Sequence, residues 1–229
     1  MRKLGKNIPN SNNFISTCHW LEDMSLKTQN IFPVGFPKNK IAYFVTSNFH
    51  KFHEAKMVLS EYKITTAMLR IEAIEIQDDI LENIAKYSVQ DAVKNCGLPV
   101  FVEDSGLFIE ALDGFPGPYS KYVYTKIGLK GILKLMDNIT DRTAYFQSVI
   151  AFGSPDVKPV CFVGLIKGKL TLLKRGISGF GYDPIFAPEE CNGRTFAEMT
   201  RLEKNSVSHR SKAIKKFAEW ISSKNKRIF

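Results

Sequence analysis

The sequence predicts an α/β protein in which helices flank a mixed sheet, and three observations indicate this fold class. Apolar runs of strand length alternate with amphipathic stretches in the first half of the chain, as at 41–45, 49–62 and 79–96. Two long segments at 143–153 and 158–176 then alternate as strands, which adds an antiparallel section to the sheet. With 229 residues and 44% hydrophobic content, the chain can bury the core of one domain.

The individual elements follow from local periodicity. A buried strand at 41–45 precedes a helix at 49–62, and 64–70 with part of 71–76 is extended. The remaining elements are a helix at 79–96 ending at Gly97, a strand at 99–103, one or two short helices at 118–136 broken at Gly128, the two strands at 143–153 and 158–176, and an amphipathic helix at 207–224. Lys167 and Gly168 are expected to form a hairpin turn.

The first 39 residues differ from the rest of the chain. They are rich in Asn, Ser, Lys and Pro and have no sustained periodicity. We interpret 1–39 as a poorly ordered N-terminal extension, or as the result of a misplaced start codon with Met24 as one internal alternative. The domain is expected to span 40–229.

The formal net charge of +9 is concentrated in the two tails. Residues 1–40 carry +4, residues 202–229 carry +6, and the body between them carries −1. This distribution favours solvated tails over a dedicated nucleic-acid surface, so no specific nucleic-acid partner is expected. No apolar run approaches the roughly 18 residues of a membrane span. The four cysteines are far apart and form no CxxC pair, which argues against zinc and a disulfide framework and predicts a cytoplasmic protein.

The stretch TSNFHK (46–51) follows the first strand and opens the first helix. A helix N-terminus presents unpaired N–H groups and a positive dipole end, which suit a phosphate. Thr46 and Asn48 add hydrogen-bonding groups and Lys51 adds a charge. The alternative is that Ser47 or Asn48 caps the helix and Lys51 is a surface lysine.

The stretch EDSG (103–106) follows an apolar strand, where α/β folds place ligand chemistry. Its adjacent carboxylates are suited to a hard cation or a general base, and Glu75, with Asp78 and Asp79 at the start of the second helix, is expected to converge on the same edge. Mg²⁺ takes one or two carboxylates and leaves its other positions to water and phosphate. The alternative is a strand-ending turn, with acids at a helix start for dipole reasons.

The stretch KNSVSHR (204–210) gathers Lys204, His209 and Arg210 beside serines at the start of the last helix. Such a group of donors suits a phosphate or a carbonyl oxygen. The alternative is that Ser208 caps the helix and its basic neighbours are exposed.

The stretch GFGYDPIF (179–186) combines bare backbone with adjacent aromatics. Phe180 and Tyr182 offer flat faces on which a base can stack, and Asp183 can accept from ring N–H groups. The alternative is a tight glycine turn whose aromatics pack in the core. Taken together, the four stretches supply the parts of an enzyme that acts on nucleotides.

In their order along the chain, these motifs also resemble those of the Ham1/inosine triphosphatase family. The similarity runs from about 41 to 220 and includes T-x-N-x-x-K (46–51), the E-x-Q turn (75–77), EDSGL with A-L-x-G-x-P-G-x-Y-S (103–120), GFGYDPIF (179–186) and TFAEM…EKNxxSHR (195–210). Ser47 stands where many members of the family have Gly, and the extension 1–39 has no counterpart there.

The resemblance implies a Ham1/Maf-like architecture and Mg²⁺-dependent hydrolysis of inosine, deoxyinosine and xanthosine triphosphates to the monophosphate and pyrophosphate, in a homodimer. It implies that Asp104 activates the attacking water and that Lys51 assists the leaving group, with Glu75 and Asp104 as metal ligands. The substrate-binding residues it implies are Thr46, Ser47, Asn48, Lys51, Ser105, Phe180, Gly181, Tyr182, Asp183, Lys204, Ser208, His209 and Arg210. Two alternatives remain open at this point, namely a Maf-like pyrophosphatase with another base preference and a nucleotide- or RNA-binding module without turnover.

Overall fold

The computed structural model describes residues 40–72, 74, 76–155 and 157–224, and these contain the α/β fold with a mixed sheet that the sequence predicts. The extension at 1–39 lies outside the described residues, as does Glu75. The strands are β1 (Lys40–Val45), β2 (Ile64–Leu69), β3 (Val100–Ile109), β4 (Pro116–Gly117), β5 (Thr143–Ser154), β6 (Val157–Leu170) and β7 (Phe186–Pro188). The helices are α1 (Phe49–Glu61), α2 (Leu81–Cys96), α3 (Ser120–Leu135), α4 (Arg201–Val207) and α5 (His209–Lys224).

The sheet has the strand order β2-β1-β3-β5-β6-β7, and the short strand β4 pairs with β3. Strand β1 is parallel to both of its neighbours, whereas β3, β5, β6 and β7 pair antiparallel. The β1–β3 register covers only Tyr43 with Val100 and Phe44 with Phe101. Beyond these pairs β3 continues while β1 ends and leads into α1, so the middle of β3 lies open toward the start of that helix.

Helices cover both faces of the sheet, because alternate residues of each strand point to opposite sides. On one face, α1 and α5 pack on Phe44, Phe101 and Ile150 in a cluster that includes Leu59 and Phe217. On the other face, α2 packs on residues such as Val100, Val102 and Val149. A third cluster joins the far end of β3 to α3 and β7. None of the helices in the described ranges combines the length and apolarity needed to cross a membrane.

Three details differ from the sequence prediction. Strand β3 does not end at Glu103 but runs through the polar EDSG stretch to Ile109, paired throughout with β5. Lys167 and Gly168 do not form a turn, since they lie inside β6 and pair with Tyr145 and Ala144 of β5, and the chain reverses instead between β5 and β6. The predicted strand at 158–176 is accordingly a single strand that ends at Leu170. A Cβ on Gly168 would lie only 2.6 Å from the Phe186 ring, so this glycine permits the close approach of β7.

The predicted helix at 207–224 is the third difference. The chain forms α4 and α5, separated at Ser208, whose backbone is extended. The predicted break at Gly128 is present as a non-helical residue inside α3.

Candidate active site

The first turn of α1 contains the predicted phosphate-binding stretch. Asn48 is the N-cap, and its side-chain oxygen accepts from the main-chain N–H groups of His50 (2.9 Å) and Lys51 (3.3 Å). The N–H of Asn48 in turn donates to the hydroxyl of Thr46 at 3.1 Å. Ser47, between them, is exposed. The capping alternative is therefore observed, and it makes a rigid, positively polarised helix start out of the same residues.

Lys51 is not a surface lysine, because its ammonium group points at β3. Its Nζ lies 2.9 Å from Oε2 of Glu103 and donates to the main-chain oxygen of Glu103 at 3.1 Å. The Glu103 side chain is fully buried and also accepts from the Ser148 hydroxyl at 2.6 Å. Burial alone would raise the pKa of the Glu103 carboxyl, but the charges of Arg210 and Lys51 hold it well below its usual range.

The two carboxylates of EDSG do not share one site. Because they are neighbours in a regular strand, Glu103 faces α1 and α5 whereas Asp104 faces α2. Asp104 is half-buried, and its Oδ1 accepts from the N–H of Ser105 at 2.9 Å. Ser105 points to the same face as Glu103, where its hydroxyl accepts from Arg210 at 3.0 Å. The two adjacent carboxylates therefore point to opposite faces of the sheet, and Asp104 is the more exposed of the two.

Arg210, at the start of α5, is buried and connects three elements. Its Nη1 lies 2.5 Å from Oε2 of Glu54 on α1, its Nη2 donates to Ser105 on β3, and its Nε lies 3.1 Å from Oε1 of Glu103. Burial would lower the pKa of this guanidinium, but the two glutamates raise it, so the group stays charged.

Lys204, on α4, lies on the other side of Glu54. Its Nζ lies 3.0 Å from Oε1 of Glu54 and 2.6 Å from Oδ2 of Asp183. Asp183 also accepts from the N–H of Phe180 at 2.8 Å. Burial would raise the pKa of Glu54, but Arg210 and Lys204 lower it. The pKa of Asp183 is raised, because burial outweighs the nearby charge of Lys204.

These contacts form one continuous row of alternating charges, which we call the charge chain. It consists of Lys51, Glu103, Arg210, Glu54, Lys204 and Asp183, in that order of contact. Three bases and three acids alternate, so the row is formally balanced without any ligand. Buried charges are tolerated only when they are paired in this way. The charge chain runs from the start of α1 to the GFGYDPIF turn, and its members come from all four motifs together with Glu54 of α1.

The GFGYDPIF stretch forms a tight turn over the end of the charge chain. Gly179 has a φ of +77°, and a Cβ on it would collide with the carboxylate of Asp183, so this position requires glycine. Gly181 also has a positive φ, of +59°. The partly buried Phe180 ring lies over the cations, 4.7 Å from Lys204 Nζ and 5.5 Å from Arg210 Cζ. Tyr182 instead points into the core, where its hydroxyl donates to the main-chain oxygen of Ser120 at 2.8 Å.

Ser208 and His209, which were also predicted to bind substrate, make contacts that mainly support the fold. The Ser208 hydroxyl accepts from the N–H of Ser211 at 3.2 Å and so caps α5, as the alternative interpretation had it. The His209 ring is buried and stacks on Phe146 at 4.5 Å. Burial, reinforced by the charge of Arg210, lowers the pKa of His209 well below its usual range, so the ring is neutral. Its Nδ1 is buried and makes no hydrogen bond with any residue that the structure describes.

Sequence reasoning missed Glu54 and Ser148. Glu54 is buried on the helix face that carries Ala55 and Val58, and it is the only acid there among the described residues of α1. A carboxylate on an otherwise apolar helical stripe is itself a signal for a buried cation. Ser148 carried no such signal, because a serine in a strand is common and its partner Glu103 is 45 residues away.

The oxygen groups on the α2 face bear on metal binding. Within the described ranges, no three His, Cys, Asp or Glu side chains cluster as a metal cage. Mg²⁺ does not require one, since it binds through one or two carboxylates. Asp104 fits such a ligand, and Gln147 and Glu82, which are hydrogen-bonded at 3.4 Å, lie on the same face of the sheet. Glu75, the other predicted ligand, lies outside the described residues.

Comparison with known proteins gives consistent matches across the domain. Residues 42–220 match the Ham1 family. A Methanopyrus kandleri protein named dITP/XTP pyrophosphatase is 50% identical over 177 residues, which are 77% of this chain and 94% of the relative. A Pyrococcus horikoshii protein of the same name is 49% identical over 179 residues, covering 78% and 95%.

Solved structures agree with the sequence matches. A HAM1 protein from Coxiella burnetii is 30% identical with a TM-score of 0.70, covering 80% of this chain and 99% of that one. The Staphylococcus aureus Ham1 protein is 27% identical with the same TM-score, covering 81% and 100%.

Proposed function

The chain belongs to the Ham1 family, and we propose on this basis that it hydrolyses non-standard purine nucleoside triphosphates, those of inosine, deoxyinosine and xanthosine. The bond between the α- and β-phosphates breaks, and water adds to give the monophosphate and pyrophosphate. The observation that carries the proposal is the 50% identity to a dITP/XTP pyrophosphatase across 94% of its length. The charge chain and the turn above it provide groups suited to the two ends of such a substrate.

The triphosphate end of the substrate is assigned to the start of α1. Thr46, Ser47 and Asn48 form a polarised turn, and Lys51 lies at its inner side with 19% of its side chain exposed. A triphosphate that draws Lys51 toward itself gains a charge contact close to the leaving pyrophosphate. Glu103 remains held by Arg210 and Ser148 when this happens, so it is not left unpaired.

The purine end is assigned to the side of Phe180 that faces the buried cations, below the turn that contains Gly181. The ring must move outward to admit a base there, because Lys204 Nζ lies 4.7 Å from its centroid. Each terminal nitrogen of Arg210 carries two hydrogens, so a second hydrogen remains on each for a purine O6. Adenine presents an amino donor at that position, and two donors facing each other are unfavourable. Lys204, whose ammonium group lies over the Phe180 ring, is assigned a further polar contact to the base, as is the neutral ring of His209.

Asp104 is assigned the role of general base, because it is the half-buried carboxylate on the open edge of β3. It accepts the proton from the attacking water. Mg²⁺ bound by Asp104 and Glu75 would offset charge on the phosphate oxygens. Asp104 can be both a metal ligand and the general base, since one carboxylate can contact both a cation and a water.

A panel of nucleotides tests the function. Purified protein is incubated with Mg²⁺ and the triphosphates of inosine, xanthosine, adenosine or guanosine, and the products are separated. We expect pyrophosphate and monophosphate mainly from the first two. Pyrophosphate from another nucleotide instead would contradict the assigned substrate class, and no turnover of any of them would contradict the enzyme assignment.

Two properties of the protein in solution belong to the same proposal. We propose a homodimer, for which the exposed aliphatic side chains of Leu172, Leu173 and Ile177 in the loop after β6 are a candidate contact surface. Light scattering measures the mass of the purified protein in solution directly, and a monomeric mass would contradict the proposed homodimer. A cytoplasmic location agrees with the free thiols of Cys96 and Cys161.

A further inference from the structure

We infer that His50 is a positioning residue for the Phe180 ring and so belongs to the purine end of the site. The inference rests on the proposed function, in which Phe180 stacks on the base. The two rings are stacked in the structure, with their centroids 4.9 Å apart and their planes at 19°. His50 lies on α1 and Phe180 in the turn before β7, so this contact joins two distant parts of the chain.

The two sides of the Phe180 ring differ in what covers them. Lys204 and Arg210 are both buried and lie over the ring at 4.7 Å and 5.5 Å from its centroid. We call the side of the ring that faces them the inner side. Because His50 is exposed whereas both cations are buried, we assign its stacked imidazole to the opposite, outer side of the ring. The cations cannot move away cheaply, because each is held by two or more ion pairs. A purine that reaches Arg210 must therefore enter on the inner side, and Phe180 must shift outward against His50.

His50 belongs to the same helical turn as the groups assigned to the triphosphate. It lies between Asn48 and Lys51, and its main-chain N–H is bound to the Asn48 side chain at 2.9 Å. A triphosphate bound at this turn therefore also fixes the backbone that carries the imidazole. The expected arrangement is a stack of three rings, with the purine inside, Phe180 in the middle and His50 outside.

Among the described residues, the His50 imidazole makes no contact on which the fold depends, so the fold does not explain its stacking on Phe180. Helix capping uses only the main chain of His50, and the side chain is exposed. Replacing it is therefore expected to leave the fold intact. His53, three residues further along α1, is also exposed but contacts Phe52 edge-on at 5.9 Å. It provides a matched control.

The experiment compares wild-type protein with His50→Ala, His50→Phe and His53→Ala. KM and kcat are measured for inosine triphosphate, and affinities for inosine triphosphate and for inorganic tripolyphosphate are measured calorimetrically with a chelator present. His50→Ala is expected to raise KM about three- to tenfold, the range of one aromatic stacking contact, with a smaller effect on kcat. His50→Phe is expected to restore KM to within about twofold, and His53→Ala to match the wild type.

The tripolyphosphate measurement locates the effect, because this probe has no base. Equal affinity of wild type and His50→Ala for it, with weaker binding of inosine triphosphate, supports the inference. An unchanged or lowered KM in His50→Ala, or an equal loss of affinity for both ligands, overturns it. If the wild type releases no pyrophosphate, the proposed function fails, but the two affinities still decide the role of His50.

Discussion

Glu54 offers the sharpest test of the charge chain, because within that row it is the carboxylate in contact with both Arg210 and Lys204. Its two oxygens lie 2.5 Å from Arg210 Nη1 and 3.0 Å from Lys204 Nζ, and all three side chains are at least 92% buried. Glu54→Gln keeps the shape of the side chain and removes its charge. The balanced row then carries one uncompensated positive charge, and an amide NH₂ faces one of the cations.

The expected cost follows from burial. Removing one partner of a buried ion pair typically destabilises a protein by about 3–5 kcal/mol. In a domain of this size, 1 kcal/mol corresponds to roughly 2–4 °C in Tm, so we expect Tm to fall by roughly 6–20 °C. The matched control is Glu61→Gln, which changes an exposed glutamate at the end of the same helix and is expected to lie within about 0.5 kcal/mol of the wild type.

Urea unfolding followed by circular dichroism measures the free energy of unfolding of each protein between pH 7 and pH 3. The folded-state pKa of Glu54 is lowered from 4.5, so its contribution is fully present above about pH 4.5 and is lost as the pH falls through the lowered pKa. The difference between wild type and Glu54→Gln should therefore shrink at the acidic end. If Glu54→Gln loses less than about 1 kcal/mol of unfolding free energy at pH 7, as expected for an exposed ion pair, the reasoning is refuted.

Three further predictions concern the assigned roles. Asp104→Asn should keep the unfolding free energy and lower kcat by about 10² or more, and turnover near that of the wild type would remove Asp104 from the mechanism. Arg210→Lys keeps the charge but loses the planar fork, so the ratio of kcat/KM for inosine over adenosine triphosphate should narrow; an unchanged ratio would mean that another residue recognises the base. The folded-state pKa of His209 is lowered from 6.5. The stability that the neutral, buried ring contributes is therefore present above pH 6.5 and is lost as the pH falls. Between pH 6.5 and 5, wild-type stability should fall by up to about 1.4 kcal/mol per pH unit more than that of His209→Gln, and equal slopes in urea unfolding would contradict this.

The sequence was sufficient to predict the strands and helices whose signal is local. The apolar run at 41–45 forms most of β1 and the periodic stretch at 79–96 contains all of α2, with one end of each shifted by one or two residues. The β3 strand was cut short in the prediction because EDSG is polar and resembles a turn. It stays extended because β5 pairs with it throughout and because Arg210 and Ser148 satisfy Glu103.

The site could be predicted as a set of motifs but not as a network. Sequence spacing indicated Lys51, Lys204 and Arg210 as cations near a ligand, and all three lie in the charge chain. The acids that pair with them are far away in sequence, since Glu54 and Arg210 are 156 residues apart. Contacts over such separations depend on how helices pack on the sheet, and no local pattern encodes them.

The central claim is that the chain cleaves a nucleoside triphosphate between its α- and β-phosphates. Phosphorus-31 NMR of inosine triphosphate incubated with the protein and Mg²⁺ tests it most directly, because the products have distinct resonances. We predict monophosphate and pyrophosphate in equal amounts, with no diphosphate at any time, and a strongly slowed reaction in Asp104→Asn. The appearance of inosine diphosphate and orthophosphate, or a spectrum that does not change, would contradict the claim.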